Sequence, residues 1–213
     1  MIVRQLRVGH MDVFCYLAGC EKSREAIVID PGGDEDKILE RAKTDNLNII
    51  YIFNTHHHWD HTSGNARLKD MTAAKLVMHA LEDDILQGRG PWGSGQPASP
   101  PADFRIKDEK ELRVGDISFQ IFFTPGHTPG GLCLYAGGQL FTGDTLFVGD
   151  SGRTDLPGGD RPTLGASIRS LMKLPDDTIV WPGHDYGDST RSTIGHEKRT
   201  NVNAKEYGYY VED

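Results

Sequence analysis

Four histidines and an aspartate crowd into six residues, His56-His57-His58-Trp59-Asp60-His61, directly after the apolar run 49–53. Imidazoles and a carboxylate at that density are unfavourable beside a buried strand unless something binds them. The interior position and the interleaved Trp59 and Asp60 set the run apart from an expression tag. Further candidate ligands stand at the same kind of place: His127 in Thr124-Pro125-Gly126-His127, Asp144 in Thr142-Gly143-Asp144 and His184 in Pro182-Gly183-His184. Each follows a strand-like run through a glycine turn, so a fold that gathers strand ends at one sheet edge would bring them together, and a metal is the economical reason for doing so.

The rest of the chain supplies such strands. β-branched and aromatic runs bounded by turn residues predict strands at 13–17, 26–29, 49–53, 75–78, 117–123, 132–135, 139–142 and 178–180. Apolar residues at helical spacing predict helices at 34–45, 64–71, 81–86, 163–171 and 190–207. Each half runs strands first and helix later. Two sheets that each need cover on one face predict an αββα sandwich, in one domain over 1–213. The segment 88–103, rich in Gly, Pro and Ser, is longer than a plain connection needs. It reads either as a lid carrying Trp92 over a cleft or as a surface loop.

Composition bounds the function classes. At 213 residues the chain can bury a sizeable core without disulfides, and 37% hydrophobic with 25% charged residues is ordinary for a globular protein. No run reaches the ~18 to 20 apolar residues of a membrane span, and the start lacks the apolar stretch of a signal peptide, so the cytoplasm is the expected compartment. Three cysteines, Cys15, Cys20 and Cys133, without CxxC spacing, are expected to be reduced and buried rather than ligands. The net charge of -8 opposes non-specific binding to nucleic acid or anionic lipid, so neither is an expected partner.

HxHxDH (His56, His58, Asp60, His61) followed in order by GHTPG, GDT and PGH resembles the metallo-β-lactamase superfamily from about Asp30 to His184. The resemblance implies that superfamily's αββα fold and a two-metal site: one metal on His56, His58 and His127, a second on Asp60, His61 and His184, with Asp144 bridging. Imidazole and carboxylate ligands without cysteine suit zinc, iron or manganese in a catalytic rather than a closed structural site. True β-lactamases of the family commonly place Cys where this chain has Asp144, which argues against antibiotic hydrolysis. Asp30 resembles the family's carboxylate behind the ligands, or is a plain turn-former. His57, out of phase with its neighbours, is expected to face solvent or the site wall. His10, His79 and His196 are expected to be ordinary histidines, and Asp185 a turn residue.

Beyond Asp144, the segment GDTLF…GR resembles glyoxalase II (hydroxyacylglutathione hydrolase) and its short single-domain relatives, in which a basic residue at the position of Arg153 lies near a thiol-conjugate substrate. Arg153 and Tyr186 are therefore the candidate substrate contacts, and Arg153 can equally tie its loop to Asp155. Only 29 residues follow His184, short of the helical domain that full-length glyoxalase II adds there. The segments His184-Asp185-Tyr186, 192–195 and 198–201 also look like persulfide dioxygenases. The first resemblance implies two zinc ions that acidify a shared water, oriented by Asp60, for attack on a small-molecule thioester. The second implies one Fe(II) on His56, His127 and Asp144, open to O₂ and glutathione persulfide. The complete two-metal set favours the hydrolase. A nuclease or a non-catalytic metal module fits less well: the chain is acidic, without an insertion resembling a nucleic-acid clamp, and no ligand is missing.

Overall fold

The structure, a computed structural model, describes residues 1–93, 98–107 and 110–206. The chain forms two compact units, Met1–Gln120 and Ile121–Asp213.

The first unit holds strands β1 (Ile2–Val8), β2 (Val13–Gly19), β3 (Glu25–Ile29), β4 (Asn48–Phe53), β5 (Lys75–His79) and β6 (Phe104–Ile106), which form a six-stranded sheet in that order. β1, β2 and β3 pair antiparallel, then β3 to β6 run parallel. Parallel neighbours need crossovers. Here these are α1 (Glu35–Thr44), the short α2 (Trp59–Thr62) with α3 (Asn65–Thr72), and α4 (Ala80–Leu86). β2 is buried at every residue, as a strand covered on both faces must be, and its sequence VFCYLAG is correspondingly apolar throughout. Ile38 and Ala42 of α1 pack with Leu17, Val28, Ile52, Leu68 and Leu76 in one apolar cluster. Burying each large aliphatic side chain there contributes roughly 1.5 to 3 kcal/mol before entropy is counted.

β7 (Glu111–Val114) and β8 (Ile117–Phe123) begin the second sheet, and the unit boundary falls inside β8. β9 (Leu132–Ala136), β10 (Gln139–Gly143), β11 (Ile179–Pro182) and β12 (Ser192–Thr193) complete it in the order β12-β11-β10-β9-β8-β7. β10 and β11 are parallel and joined through α5 (Arg161–Leu171), which Asp160 caps by accepting the Thr163 N–H at 2.9 Å. Leu164, Ile168 and Leu171 of α5 pack on Leu140 and Val180.

The predicted strand 117–123 has the observed bounds, 178–180 shifts to 179–182, and the structure extends the other predicted strands by a residue or two. It adds β1, β6 and β7, which the patterning did not single out. It also divides the predicted helix 190–207: residues 192–193 pair with β11, α6 (Ile194–Thr200) follows, and Asn201 turns out of helical geometry at φ -66, ψ 120 before α7 (Val202–Glu206). The Asn201 Oδ1 accepts the N–H groups of Asn203 and Ala204 at 3.0 Å each, so its side chain starts a new helix instead of letting the old one continue. Residue 207 of that predicted helix, and 94–97 of the predicted loop, lie outside the described residues. The described ends of that loop are tied down by Ala98 N–H to Leu86 O and Asp103 N–H to Leu76 O, both 2.8 Å, while Trp92 is exposed. No helix among the described residues is long and apolar enough to cross a membrane. All three cysteines are free and buried.

Candidate metal centre

In the first unit the histidine run leaves the end of β4. Asp30, just past β3, is buried at φ 52. Its Oδ1 accepts the Thr55 N–H at 2.8 Å, its Oδ2 accepts the Thr55 hydroxyl at 2.6 Å, and the same Oδ2 lies 2.9 Å from His61 Nδ1. Asp30 is thus both a turn residue and a carboxylate behind the candidate ligands. Thr55 gives its single hydroxyl proton to Asp30, so the 2.9 Å contact between Thr55 Oγ1 and His56 Nδ1 has the ring as donor. His61 Nδ1 likewise donates to the Asp30 carboxylate. In a neutral imidazole both assignments leave the lone pair on Nε2, the atom a metal takes.

The rings stand together. His56 lies with its centroid 4.7 Å from that of His58 and 4.2 Å from that of His61. Ligand-capable atoms of Asp30, His56 and His61 all fall within 4.8 Å of one another. Asp60 Oδ2 is 3.7 Å from His61 Nε2. Asn54 holds the run at its other end by donating to His61 O at 3.0 Å. Gly32 lets Asp60 pass: a Cβ there would meet Asp60 O at 1.8 Å.

In the second unit His127, Asp144 and His184 follow β8, β10 and β11, and all three are buried. The Nε2 atoms of His127 and His184 each lie 3.6 Å from the same oxygen, Asp144 Oδ2. That is too long for a hydrogen bond. It is close to the separation of roughly 3 to 3.5 Å between two atoms that share a metal at about 2.1 Å each. His127 Nδ1 donates to the carbonyl of Arg153 at 2.7 Å, which again leaves the lone pair on Nε2. Gly152 permits this approach, since a Cβ would meet Asp144 O at 1.9 Å and the His127 ring at 3.0 Å. The donor chemistry of both units therefore fits metal ions: buried imidazoles grouped with carboxylates.

The predicted substrate contacts lie in the second unit. Tyr186 stacks on the His184 ring, centroids 4.9 Å apart at 6°, with Phe147 edge-on to both, and is itself largely exposed. The Arg153 guanidinium grips Asp155 with bonds of 2.6 and 2.7 Å, and this holds the Asp155 carboxyl down to about 2. The loop-tying role of Arg153 is thus present, and its main chain does a second job in orienting His127.

Of the two expectations for His57, solvent or the site wall, solvent does not hold. The ring faces the buried carboxylate of Glu82 rather than solvent, with Nδ1 2.5 Å from Glu82 Oε2. Neither Glu82 nor Thr55 was singled out from the sequence. Thr55 borders the histidine run and could have been found by its hydroxyl; Glu82 sits in a run of helix acids that reads as a solvated face. His79 proves to be a helix cap, its Nδ1 accepting the Leu81 N–H at 3.2 Å.

A sequence profile described as the Metallo-beta-lactamase superfamily matches residues 8–184. A hydroxyacylglutathione hydrolase of Polaromonas sp. (strain JS666) is 36% identical over 92% of this chain and 72% of its own length. The human mitochondrial persulfide dioxygenase ETHE1 is 31% identical over 94% of this chain and 75% of its own. Among solved structures, BLEG-1, described as a B3 metallo-beta-lactamase, superposes with a TM-score of 0.84 at 33% identity, covering 95% of this chain and 99% of the other.

Proposed function

The chain belongs to the metallo-β-lactamase superfamily and has its α/β fold, and within that family we propose that it is a two-metal hydrolase of small-molecule thioesters, resembling hydroxyacylglutathione hydrolases. The observation that carries this reading is the shared oxygen of Asp144, equidistant at 3.6 Å from His127 and His184. A single ion on His56, His127 and Asp144 would leave His184 without a task; a bridging carboxylate gives all seven residues one. His56, His58 and His127 would hold one ion, Asp60, His61 and His184 the second, with Asp144 between them. We take the two units as halves of one such domain, a reading supported by the single profile match that runs through both.

Zinc is the proposed metal, and a pair of ions would supply a water acidic enough to attack near neutral pH and positive charge to polarise the acyl carbonyl. Asp60 accepts a hydrogen bond from the attacking water and so points its lone pair at the carbonyl carbon. A thiolate of pKa ~8.5 leaves without a dedicated acid. Arg153 offers a cation to a carboxylate on the thiol carrier, in exchange for Asp155. The exposed face of Tyr186 offers an apolar wall.

The dioxygenase relative supports a second reading, one iron with persulfide as substrate, and the β-lactamase neighbour adds a third substrate. Turnover of S-lactoylglutathione, oxygen uptake with glutathione persulfide, and hydrolysis of a β-lactam, measured on one preparation, separate the three. Thioester cleavage well above the other two is the expected result. Oxygen uptake without thioester cleavage would overturn the hydrolase.

A further inference from the structure

Helix α4 carries three acids in succession, Glu82, Asp83 and Asp84, yet the first two are 0% and 2% exposed. Asp83 is met by Arg89 at 3.3 Å, Arg105 at 3.0 Å and the Ala102 N–H at 3.0 Å. Glu82 points elsewhere. Its Oε2 accepts the main-chain N–H of His57 at 2.7 Å and faces the Nδ1 of the same residue at 2.5 Å. The carboxylate thus meets both the main chain and the ring of one residue. A carboxylate buried this completely is costly unless hydrogen-bonded, and the bonds that offset the cost here go to residue 57.

What it holds is the residue between two proposed ligands. The ring of His58 has the His56 ring 4.7 Å away and the His57 ring 4.8 Å away, both edge-on. Gripping residue 57 by both main chain and ring stops the peptide on either side of it from rotating, and that rotation would swing the neighbouring imidazoles. The grip comes from an adjacent part of the same sheet. β5 pairs in parallel with β4, Phe53 opposite Val77, so the helix that follows β5 starts beside the loop that follows β4.

We propose that Glu82 is a positioning residue for the metal centre: its buried carboxylate clamps residue 57 and thereby sets the directions of the His56 and His58 side chains. The inference rests on these two histidines being ligands, as proposed above. It concerns metal binding and does not depend on which substrate is turned over.

The test is the zinc affinity of the full chain, by competition with a chromophoric chelator, with the melting temperature of the metal-free protein recorded beside it. Glu82→Met fills the space without an acceptor and is expected to weaken zinc 10- to 100-fold, roughly the cost of losing a group that orients a metal ligand. Glu82→Gln keeps an oxygen that can accept both bonds and should stay within about threefold of wild type. Asp83→Asn loosens the same helix from Arg89 and Arg105; it should lower the melting temperature while leaving zinc affinity within about threefold. Wild-type affinity in Glu82→Met overturns the clamp, and so does a loss in Asp83→Asn as large as in Glu82→Met, because the effect then belongs to helix docking. If Glu82→Met does not fold, Glu82→Asp, one methylene short, is measured instead, with about a tenfold loss expected and no loss overturning the clamp. A wild-type chain that binds no metal sinks the metal centre and the clamp together, which separates that failure from failure of the clamp alone.

Discussion

Asp30 occupies the left-handed region at φ 52, which few residues other than Gly, Asn and Asp enter readily, and uses both carboxylate oxygens inside the protein. Asp30→Asn keeps the turn but replaces one acceptor with an amide donor facing either Thr55 or His61. Metal affinity is expected to fall about 10- to 100-fold with little change in the melting temperature of the metal-free chain. An unchanged affinity in a chelator titration would make Asp30 a turn residue only. Arg153 is tested by kinetics: Arg153→Ala should raise KM for a carboxylate-bearing thioester more than it lowers kcat, and an unchanged KM would remove the side chain from the substrate site. At this scale the candidate ligands were legible because they follow strands, four of them crowded in one run and His127, Asp144 and His184 each after a glycine turn, a context visible along the chain. Of their supports, Asp30 was legible and the others were not. The Arg153 carbonyl that orients His127 has no residue signature, since any residue offers one, and Glu82 resembles every other acid on a surface helix.

Long, apolar or well-bounded elements were readable and edge elements were not. β2 and β8 stand out by composition and alternation, whereas β6 and β7 are three and four residues long and sit at sheet edges, too short to show a period. β1 interleaves Arg4, Gln5 and Arg7 with its apolar residues and is only half-buried. The break at Asn201 depends on side-chain bonds to Asp150 O at 2.9 Å and Glu197 at 2.8 Å that helical periodicity does not register. Asp103 gives the element scale its prediction, because it ties β5 and α3 to the start of β6. It accepts the Leu76 N–H at 2.8 Å and pairs with Lys69 at 2.7 Å. Burial alone would raise its carboxyl, but Lys69, the Leu76 N–H and Lys75 together hold it below the usual range. A depressed folded value means the unfolded chain takes up the proton first as pH falls. The stabilisation is therefore complete above the ordinary carboxylate pKa of about 3.9 and is lost as pH drops through the lower folded value. Asp103→Asn should cost about 1 kcal/mol in urea unfolding at pH 7, and the gap to wild type should narrow as pH falls below the ordinary carboxylate range. A gap that stays constant with pH would contradict the charge-based account.

For the whole molecule, the donors divide between the two units: the histidine run with Asp30 in the first, and His127, Asp144 and His184 in the second. Each donor set is pre-oriented by bonds made inside its own unit, from Asp30 and Thr55 in one and from the Arg153 carbonyl in the other. The order of motifs along the sequence was enough to name the family. It did not show how each ring is held, because the bonds to His61 and His127 come from residues distant in sequence and the one from Thr55 to His56 has no pattern of its own. The central claim is a pair of metal ions on seven residues, and elemental analysis of the full chain, purified without oxygen and without added metal, tests it most directly. About two zinc ions per chain, falling to one or none in Asp144→Ala, is the predicted result. About one iron per chain, unchanged in zinc-free and zinc-replete preparations, would contradict it and point to the single-iron site instead.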